Sequence, residues 1–375
     1  MRILFTSVAL PGHLFPLVPL AWACRGLGHE VLVATTENFV PTVLRTGLPA
    51  CSFGPAGGIR DLLAAESPGT AGHSAGRRSA HGRAFAGITR RNLPGMRRLA
   101  DAWRPDVVVS ERAEFTGPVV AAADGVARVE LHWGVAPLVE YQDALPDVLR
   151  GHPLWTALGE ELPPADLMVN PWPPSLRPAY SAGHQSVRHV PYNGDAHLPD
   201  WMLGGPRRPR ICLTLGTVVP HLGTGGGFML TLLRRLAGLG AEVVVAVDDE
   251  IAAGWPDLPA AVVHAGRLPM AQTLGACGVV INHGGQGTTL TALASGCPQV
   301  VLPQFDDQFD NADAVVKAGA GVRLLPEEVT PDSVARACAA VLGDATFRAG
   351  ATAATEEIAA QPSPAEIATL VSTLR

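Results

Sequence analysis

A repeated order of apolar runs, glycine turns and helical stretches constrains the fold of this chain more than any other feature. Residues 2–9 form an apolar run that ends at Pro11-Gly12, a helical pattern follows over 14–26, and residues 31–35 form a second apolar run. Strand, tight turn, helix and strand make a βαβ unit, and strands that are apolar throughout are typical of a parallel sheet covered on both faces. The first half of the chain is therefore predicted to be a doubly wound sheet.

The same order starts again in the second half, after a stretch rich in Pro, Gly and Arg over 204–209. Ligands of open parallel sheets bind beyond the carboxyl ends of the strands, so two such halves would share a cleft. We therefore predict an α/β fold of two Rossmann-like, doubly wound parallel-sheet domains that face a cleft. The predicted parts are an N-terminal domain over 1–203, a C-terminal domain over 210–355 and a final helix over 356–375 that packs back on the first domain.

Charge and composition exclude several classes of protein. The net charge of -6 argues against a nucleic-acid-binding surface, because the chain carries no evident basic face for a phosphate backbone. No apolar stretch approaches the ~20 residues that a membrane span needs. Gly12-His13 interrupts the first apolar run before it resembles a signal peptide, so we predict a cytoplasmic protein. The six cysteines lack metal-ligand spacing and are expected to be buried thiols.

The strongest local signal is HGGQGT over 283–288, which follows an apolar strand and opens a helix. Glycines allow a ligand to approach the backbone closely, and the free N–H groups and positive end of a helix favour a pyrophosphate. Thr288 lies in the first turn, where its hydroxyl can also donate to a phosphate. The alternative is an ordinary glycine-rich turn in which Thr288 is the N-cap.

Two further strand ends in the second half carry polar side chains. The segment PQFDDQFDNA over 303–312 brings carboxylates and amides that suit vicinal sugar hydroxyls, with Asp307 and Gln308 as the preferred pair. The alternative is a solvated acidic loop that caps the next helix. Gly216-Thr217 ends the first strand of this half, where Thr217 would donate a hydrogen bond to a phosphate unless it is an ordinary turn threonine.

His13 occupies the corresponding strand-to-helix turn of the first half. A histidine there would point into the cleft, and its ordinary pKa of ~6.5 suits proton transfer at neutral pH. A base of this kind is helped by a carboxylate that orients its ring, and Glu111 ends the apolar strand that starts at 106. The alternatives are a structural histidine and a surface glutamate.

One segment departs from the α/β order. Between Ser67 and Ala100 there is no acidic residue but there are seven arginines. A solvated loop and helix face is the first interpretation. The second is a flap near the acceptor mouth that favours an acidic acceptor or carrier.

Together these motifs resemble the bacterial antibiotic glycosyltransferases of the GT-B fold, the tailoring enzymes of macrolides, aromatic polyketides and enediynes. The resemblance spans essentially the whole chain. It rests on HGGQGT over 283–288, DQFDNA over 307–312, TLGT over 214–217, PGH followed by Pro16, and PPSLRP over 173–178.

The resemblance implies an inverting displacement that moves a TDP-activated, often deoxygenated sugar to a small-molecule aglycone, with no metal and no cofactor. The donor is then a nucleotide-sugar co-substrate. His13 would be the general base and Glu111 its partner, while Gly12 and Trp133 would contact the acceptor. The donor-binding residues implied by position are Gly216, Thr217, Arg267, Leu268, His283, Gly284, Gly285, Gly287, Thr288, Asp307 and Gln308.

Several alternatives stay open. Many relatives carry aspartate where this chain has Glu111, and carbon-glycosylating relatives often lack the histidine, so His13 favours transfer to oxygen over a C-glycosyltransferase. A sugar-nucleotide epimerase shares the two-domain fold, and a non-catalytic partner protein would not need these side chains. A Rossmann dehydrogenase would need G-x-G-x-x-G, which the first turn lacks. A homodimer is a further open expectation.

Overall fold

The computed structural model describes residues 1–55, 75–194, 197–206, 208–214, 226–255 and 257–374. The chain forms two parallel sheets that follow each other in sequence. Within these residues the first sheet has seven strands, and the second has six. Strands β1 to β13 span Arg2–Thr6, Glu30–Thr36, Ala50–Gly54, Val107–Glu111, Ala127–Leu131, Leu167–Asn170, Gln185–Ser186, Arg210–Leu213, Glu242–Ala246, Val262–Gly266, Val279–Asn282, Gln299–Val301 and Gly321–Arg323.

Helices cover both faces of each sheet. Within the described residues, helices α1 to α16 span Pro11–Leu14, Val18–Gly26, Val40–Leu44, Ala75–Trp103, Thr116–Ala123, Val139–Asp143, Leu145–Leu149, Pro153–Ala157, Gly226–Ala237, Asp249–Ala253, Met270–Gly275, Gln286–Ala294, Gln308–Lys317, Pro331–Gly343, Ala345–Ala359 and Pro364–Val371. In β1 the buried side chains alternate, so that Leu4 packs toward α4 whereas Ile3 and Phe5 pack toward α2. The predicted two-domain doubly wound fold is confirmed.

The strand orders fix where a ligand can bind. The first sheet runs β3-β2-β1-β4-β5-β6-β7 and the second runs β10-β9-β8-β11-β12-β13. The order reverses between β1 and β4 in one sheet and between β8 and β11 in the other, and such switch points open a crevice at the carboxyl ends of the strands. His13 and Glu111 follow β1 and end β4, and His283 follows β11.

Local chemistry explains where the predicted elements differ from the observed ones. The helical pattern expected over 14–26 is divided into α1, a 3₁₀ turn at Phe15–Leu17 and α2. Pro16 and Pro19 each lie in the first turn of a new helix, where the missing N–H costs nothing. The expected strand over 2–9 is shorter and ends at Thr6.

Where it is described, the arginine-rich segment is an amphipathic helix, in agreement with the helix-face part of the first interpretation. Its described part is the 29-residue α4, whose apolar side buries Phe85, Leu93 and Met96 against the first sheet. Beside this apolar side, Arg97 pairs with Asp101 and Asp124 at 2.6 and 2.5 Å. Residues 67–74 of the segment lie outside the described residues.

The two halves meet through an apolar contact. Val135, Trp172 and Leu176 from the first half pack with side chains of α12 and α13, and Trp172 is fully buried. The last helix, α16, returns to the first half, where Ile367 joins the core beneath α2. None of the helices in the described ranges is both long and apolar enough to cross a bilayer.

Candidate active site

His13 and Glu111 face each other at the switch point of the first sheet. His13 lies in α1, directly after the β1 turn, and its Nδ1 is 3.0 Å from Oε1 of Glu111. The histidine side chain is 14% exposed whereas the carboxylate is fully buried. A carboxylate at this distance favours the tautomer with its proton on Nδ1 and the lone pair on Nε2, although the two groups are not aligned as a hydrogen bond.

Glu111 is held by three other donors. Its Oε2 accepts from Nε1 of Trp133 at 2.7 Å and from the N–H of Ala113 at 2.9 Å, and its Oε1 accepts from the N–H of Val8 at 3.3 Å. Burial by itself raises the pKa of this carboxyl, but His13 and these hydrogen bonds outweigh it and bring the pKa below its usual value. The side chain is therefore an anion that can stabilise a protonated His13.

Contacts within the protein fix the position of Trp133. Its ring meets the His13 ring edge-on with centroids 4.9 Å apart. The guanidinium of Arg112 lies 5.5 Å from the Trp133 ring centroid and donates to the carbonyls of Trp133 and Ala136 at 3.0 and 2.7 Å. The structure shows that Trp133 donates to Glu111, and its contact with an acceptor stays a prediction. Gly12 is exposed, with no atom within 4 Å of where a Cβ would lie.

A small cavity of about 10 Å³, room for roughly one water molecule, lies beside this pair on the side of α4. Phe85 lines it and also lies against the His13 ring, with centroids 5.9 Å apart. Most of the wall is apolar, and Ser7, Thr89 and the buried carboxyl of Glu114 add polar groups. The full lining is Ser7, Val8, Ala9, Thr36, Phe53, Phe85, Ile88, Thr89, Ala113, Glu114 and Thr116. Sequence reasoning missed these α4 residues, although Phe85, Ile88 and Thr89 have the three- and four-residue spacing of one helix face.

The glycine-rich turn of the second half forms the N-terminus of α12. Gly285 is the N-cap, so the alternative that Thr288 caps the helix is wrong. Gly284 has φ +85°, and a Cβ there would lie 2.8 Å from the carbonyl oxygen of Gln308, which only glycine tolerates. The first-turn N–H groups, including those of Gly287 and Thr288, have no carbonyl of a preceding turn to bond.

His283 lies over this turn in a neutral form. Burial lowers the pKa of His283 to about 4. Its Nδ1 is buried and has no hydrogen-bond partner among the described residues. At neutral pH this ring can therefore contribute a hydrogen bond, but not a full positive charge, to a ligand at the helix end.

The loop before α13 brings Asp307 and Gln308 to the same side of the cleft. Burial, followed by the charge of Asp306, raises the pKa of Asp307 to about 7, while Asn311 donates to Oδ2 of Asp307 at 2.6 Å. Oε1 of Gln308 accepts from the N–H groups of Gln304 and Phe305 at 2.9 and 3.3 Å. The carbonyl of Gln308 therefore shapes the loop, and its NH₂ group is the part available to a ligand.

The other predicted donor residues have different environments. Leu268 is buried in the core under the second sheet, so only its backbone can face a ligand. Arg267 follows β10, and its N–H donates to Oδ1 of Asp249 at 2.9 Å. Gly216 and Thr217 lie outside the described residues.

Four functional candidates that sequence reasoning did not select join the two halves beside the site. Asp306, at φ +50°, accepts from Tyr141 at 2.9 Å and from Nδ1 of His81, both in the first half. A non-glycine residue in the left-handed region persists only where its surroundings hold it. Gln286 accepts from the backbone N–H of Gly134 at 2.5 Å. No motif marks such contacts, because each joins residues more than 140 positions apart.

Family comparisons agree with this geometry. Residues 22–216 match the family model described as "Erythromycin biosynthesis protein CIII-like, N-terminal domain", and residues 230–374 match its C-terminal domain. The L-demethylnoviosyl transferase of Streptomyces niveus is 38% identical over 370 residues, which are 98% of this chain and 97% of that protein. The 3-alpha-mycarosylerythronolide B desosaminyl transferase of Saccharopolyspora erythraea is 31% identical, over 98% of this chain and 96% of that protein.

Solved structures give the same result. A glycosyltransferase of Streptomyces sp. SF2575 in complex with thymidine diphosphate has a TM-score of 0.85 at 36% identity, covering 99% of both chains. Spinosyn rhamnosyltransferase complexed with spinosyn aglycone has a TM-score of 0.84 at 31% identity, covering 100% of both chains. The chain therefore belongs to the erythromycin biosynthesis protein CIII-like family of GT-B antibiotic glycosyltransferases.

Proposed function

We propose that this glycosyltransferase moves a sugar, often deoxygenated, from a TDP-sugar to a hydroxyl of a polyketide-type aglycone, with inversion at the anomeric carbon. The observation that carries the proposal is the His13–Glu111 pair, which lies across one cleft from the N-terminus of α12. Gly134 links the two sides, because it follows Trp133 in sequence and contacts both Gln286 and Asp307.

The donor would bind along the second half. The diphosphate oxygens would accept hydrogen bonds from His283, the N–H groups of the α12 first turn and the Thr288 hydroxyl. Asp307 and the NH₂ group of Gln308 would meet the sugar hydroxyls. A carboxyl with a pKa of about 7 can donate or accept there near neutral pH.

The acceptor would lie over His13 and Phe85 at the carboxyl ends of β1 and β4, because the cavity beside α4, at about 10 Å³, is too small to enclose an aglycone. The apolar ring of Phe85 beside His13 favours a ring system that presents one hydroxyl to Nε2. As that oxygen attacks the anomeric carbon, the bond from carbon to the TDP oxygen breaks and the hydroxyl proton passes to Nε2 of His13. Glu111 then stabilises the imidazolium, and the end of α12 stabilises the leaving diphosphate.

Nucleotide binding is the first test, because it needs no knowledge of the sugar or the aglycone. We expect TDP to raise the melting temperature more than UDP or NAD. The shift should be measurable, because a ligand at about 100 times its Kd adds about 2.7 kcal/mol to the free energy of unfolding. His283→Ala should reduce this shift. Stabilisation by NAD alone, or by none of the three nucleotides, would contradict the proposed donor site.

Turnover is the second test. Incubation with TDP-sugars and aromatic or macrolide aglycones should yield a glycoside whose new bond is to oxygen, identified by mass spectrometry and NMR. His13→Ala should lower kcat by roughly 10² to 10⁴ while leaving TDP binding unchanged. A carbon-linked product, or turnover that survives His13→Ala, would contradict the assigned role of the base.

A further inference from the structure

We propose that Gln286 is a positioning residue that couples occupancy of the donor-phosphate helix to the catalytic pair, through the loop of residues 133–135. This inference rests on the proposed function, since it assumes that TDP binds at the end of α12. The Gln286 side chain lies between the two halves and contacts both.

One side-chain oxygen of Gln286 joins the halves. The residue is 6% exposed and lies in the first turn of α12. Its Oε1 accepts from the N–H of Gly134 at 2.5 Å and from Nε1 of Trp172 at 3.1 Å. Both donors belong to the first half, so movement of α12 relative to that half must move or break these bonds.

The bond to Gly134 reaches the base by a short path. Gly134 shares a peptide unit with Trp133, whose Nε1 holds Glu111 and whose ring lies against His13. Asn311, which also contacts the donor loop, accepts from the next N–H, that of Val135, at 3.0 Å. Two successive amides of the loop are thus fixed by side chains of the donor half, and the Trp133 ring follows their position.

The remaining polar group of Gln286 points to a ligand. Its Nε2 is buried and has no partner among the described residues. A buried unsatisfied donor is costly, and its natural acceptor beside a helix N-terminus is an anionic oxygen. A diphosphate bound there would satisfy Nε2, hold the amide in place and so tighten the bonds that its oxygen makes to the first half.

The test measures the loop rather than turnover. Hydrogen–deuterium exchange of peptides covering 131–138 is compared with and without saturating TDP, in the wild type, Gln286→Met, Gln286→Glu and the exposed control Gln142→Met. We expect TDP to slow exchange in this loop by roughly tenfold in the wild type and the control, which is an ordinary coupling between sites. Gln286→Met should bind TDP but lose this protection.

Gln286→Glu separates positioning from a general structural role. It keeps an acceptor oxygen for Gly134, so without TDP the loop should exchange as slowly as in the wild type, whereas exchange in Gln286→Met should be faster. It lacks the Nε2 donor and puts a negative charge beside the diphosphate, so it should bind TDP more weakly and lose the added protection by TDP. It also carries the test if Gln286→Met does not fold. Protection by saturating TDP in Gln286→Met or Gln286→Glu equal to that in the wild type would overturn the inference. Failure of the wild type to bind TDP would instead overturn the proposed function.

Discussion

Replacing Trp133 by phenylalanine should expose how the buried Glu111 carboxylate is maintained. The substitution keeps an aromatic ring against His13 but removes the N–H that reaches Oε2 at 2.7 Å. Hydrogen bonds to charged groups contribute roughly 1.5–3 kcal/mol. Because Glu111 is fully buried, water cannot replace the lost donor, and we expect a destabilisation of about 2 kcal/mol at pH 7.

The stability lost in Trp133→Phe should depend on pH. The pKa of Glu111 is lowered in the folded protein, so its contribution is present above the unfolded pKa of about 4.5. That contribution is lost as the pH falls through the lower folded value. In Trp133→Phe the folded pKa should rise, so the stability difference from the wild type should be largest at neutral pH and should shrink below pH 4.5.

Trp155 supplies a matched control for this substitution. It is also buried, at 1% exposure, but its Nε1 has no partner among the described residues. Urea denaturation of Trp133→Phe and Trp155→Phe at pH 7 and pH 4 separates the hydrogen bond from the loss of ring volume. A pH-independent effect of equal size in both variants would refute the argument that the Trp133 N–H stabilises an ionised Glu111.

Three other predictions concern the frame around the site. Gly284→Ala should lower the melting temperature and weaken TDP binding, because its Cβ would meet a backbone carbonyl. Gly287→Ala, with open space at that position, should leave the fold intact. Thermal melts of the two variants test this difference. Asp306→Gly should be more stable than Asp306→Ala by about 1 kcal/mol in urea denaturation, because φ is +50° and both variants lose the same hydrogen bonds. Burial lowers the pKa of three histidines from 6.5 to about 4. The free energy of unfolding should therefore decrease as the pH falls from 6.5 to 4, by roughly 3 kcal/mol for each histidine. Urea denaturation across this pH range measures the decrease, and a flat profile would contradict it. Those residues are His132, His189 and His283.

Much of the fold follows from local sequence. The strand expected over 31–35 lies within the observed strand Glu30–Thr36, because a run that is apolar on both faces is stable only inside a covered sheet. The turn at 283–288 was predicted to open a helix, and it does, since a glycine turn at a buried strand end leaves few other conformations. Glu111, at the end of its strand, was predicted to lie beside His13 because both strands end at the same edge.

Contacts between distant segments were decided only by the tertiary structure. The apolar side of α4 is visible as helical spacing, but not the fact that Phe85 lies against His13. Likewise, no local pattern shows that Gln286 would accept from Gly134 or that Asp306 would take a left-handed backbone to reach Tyr141. Sequence periodicity reports which face of an element is buried. Which partner covers that face depends on how the two sheets pack, and the residues between the halves are where that packing sets the geometry of the site.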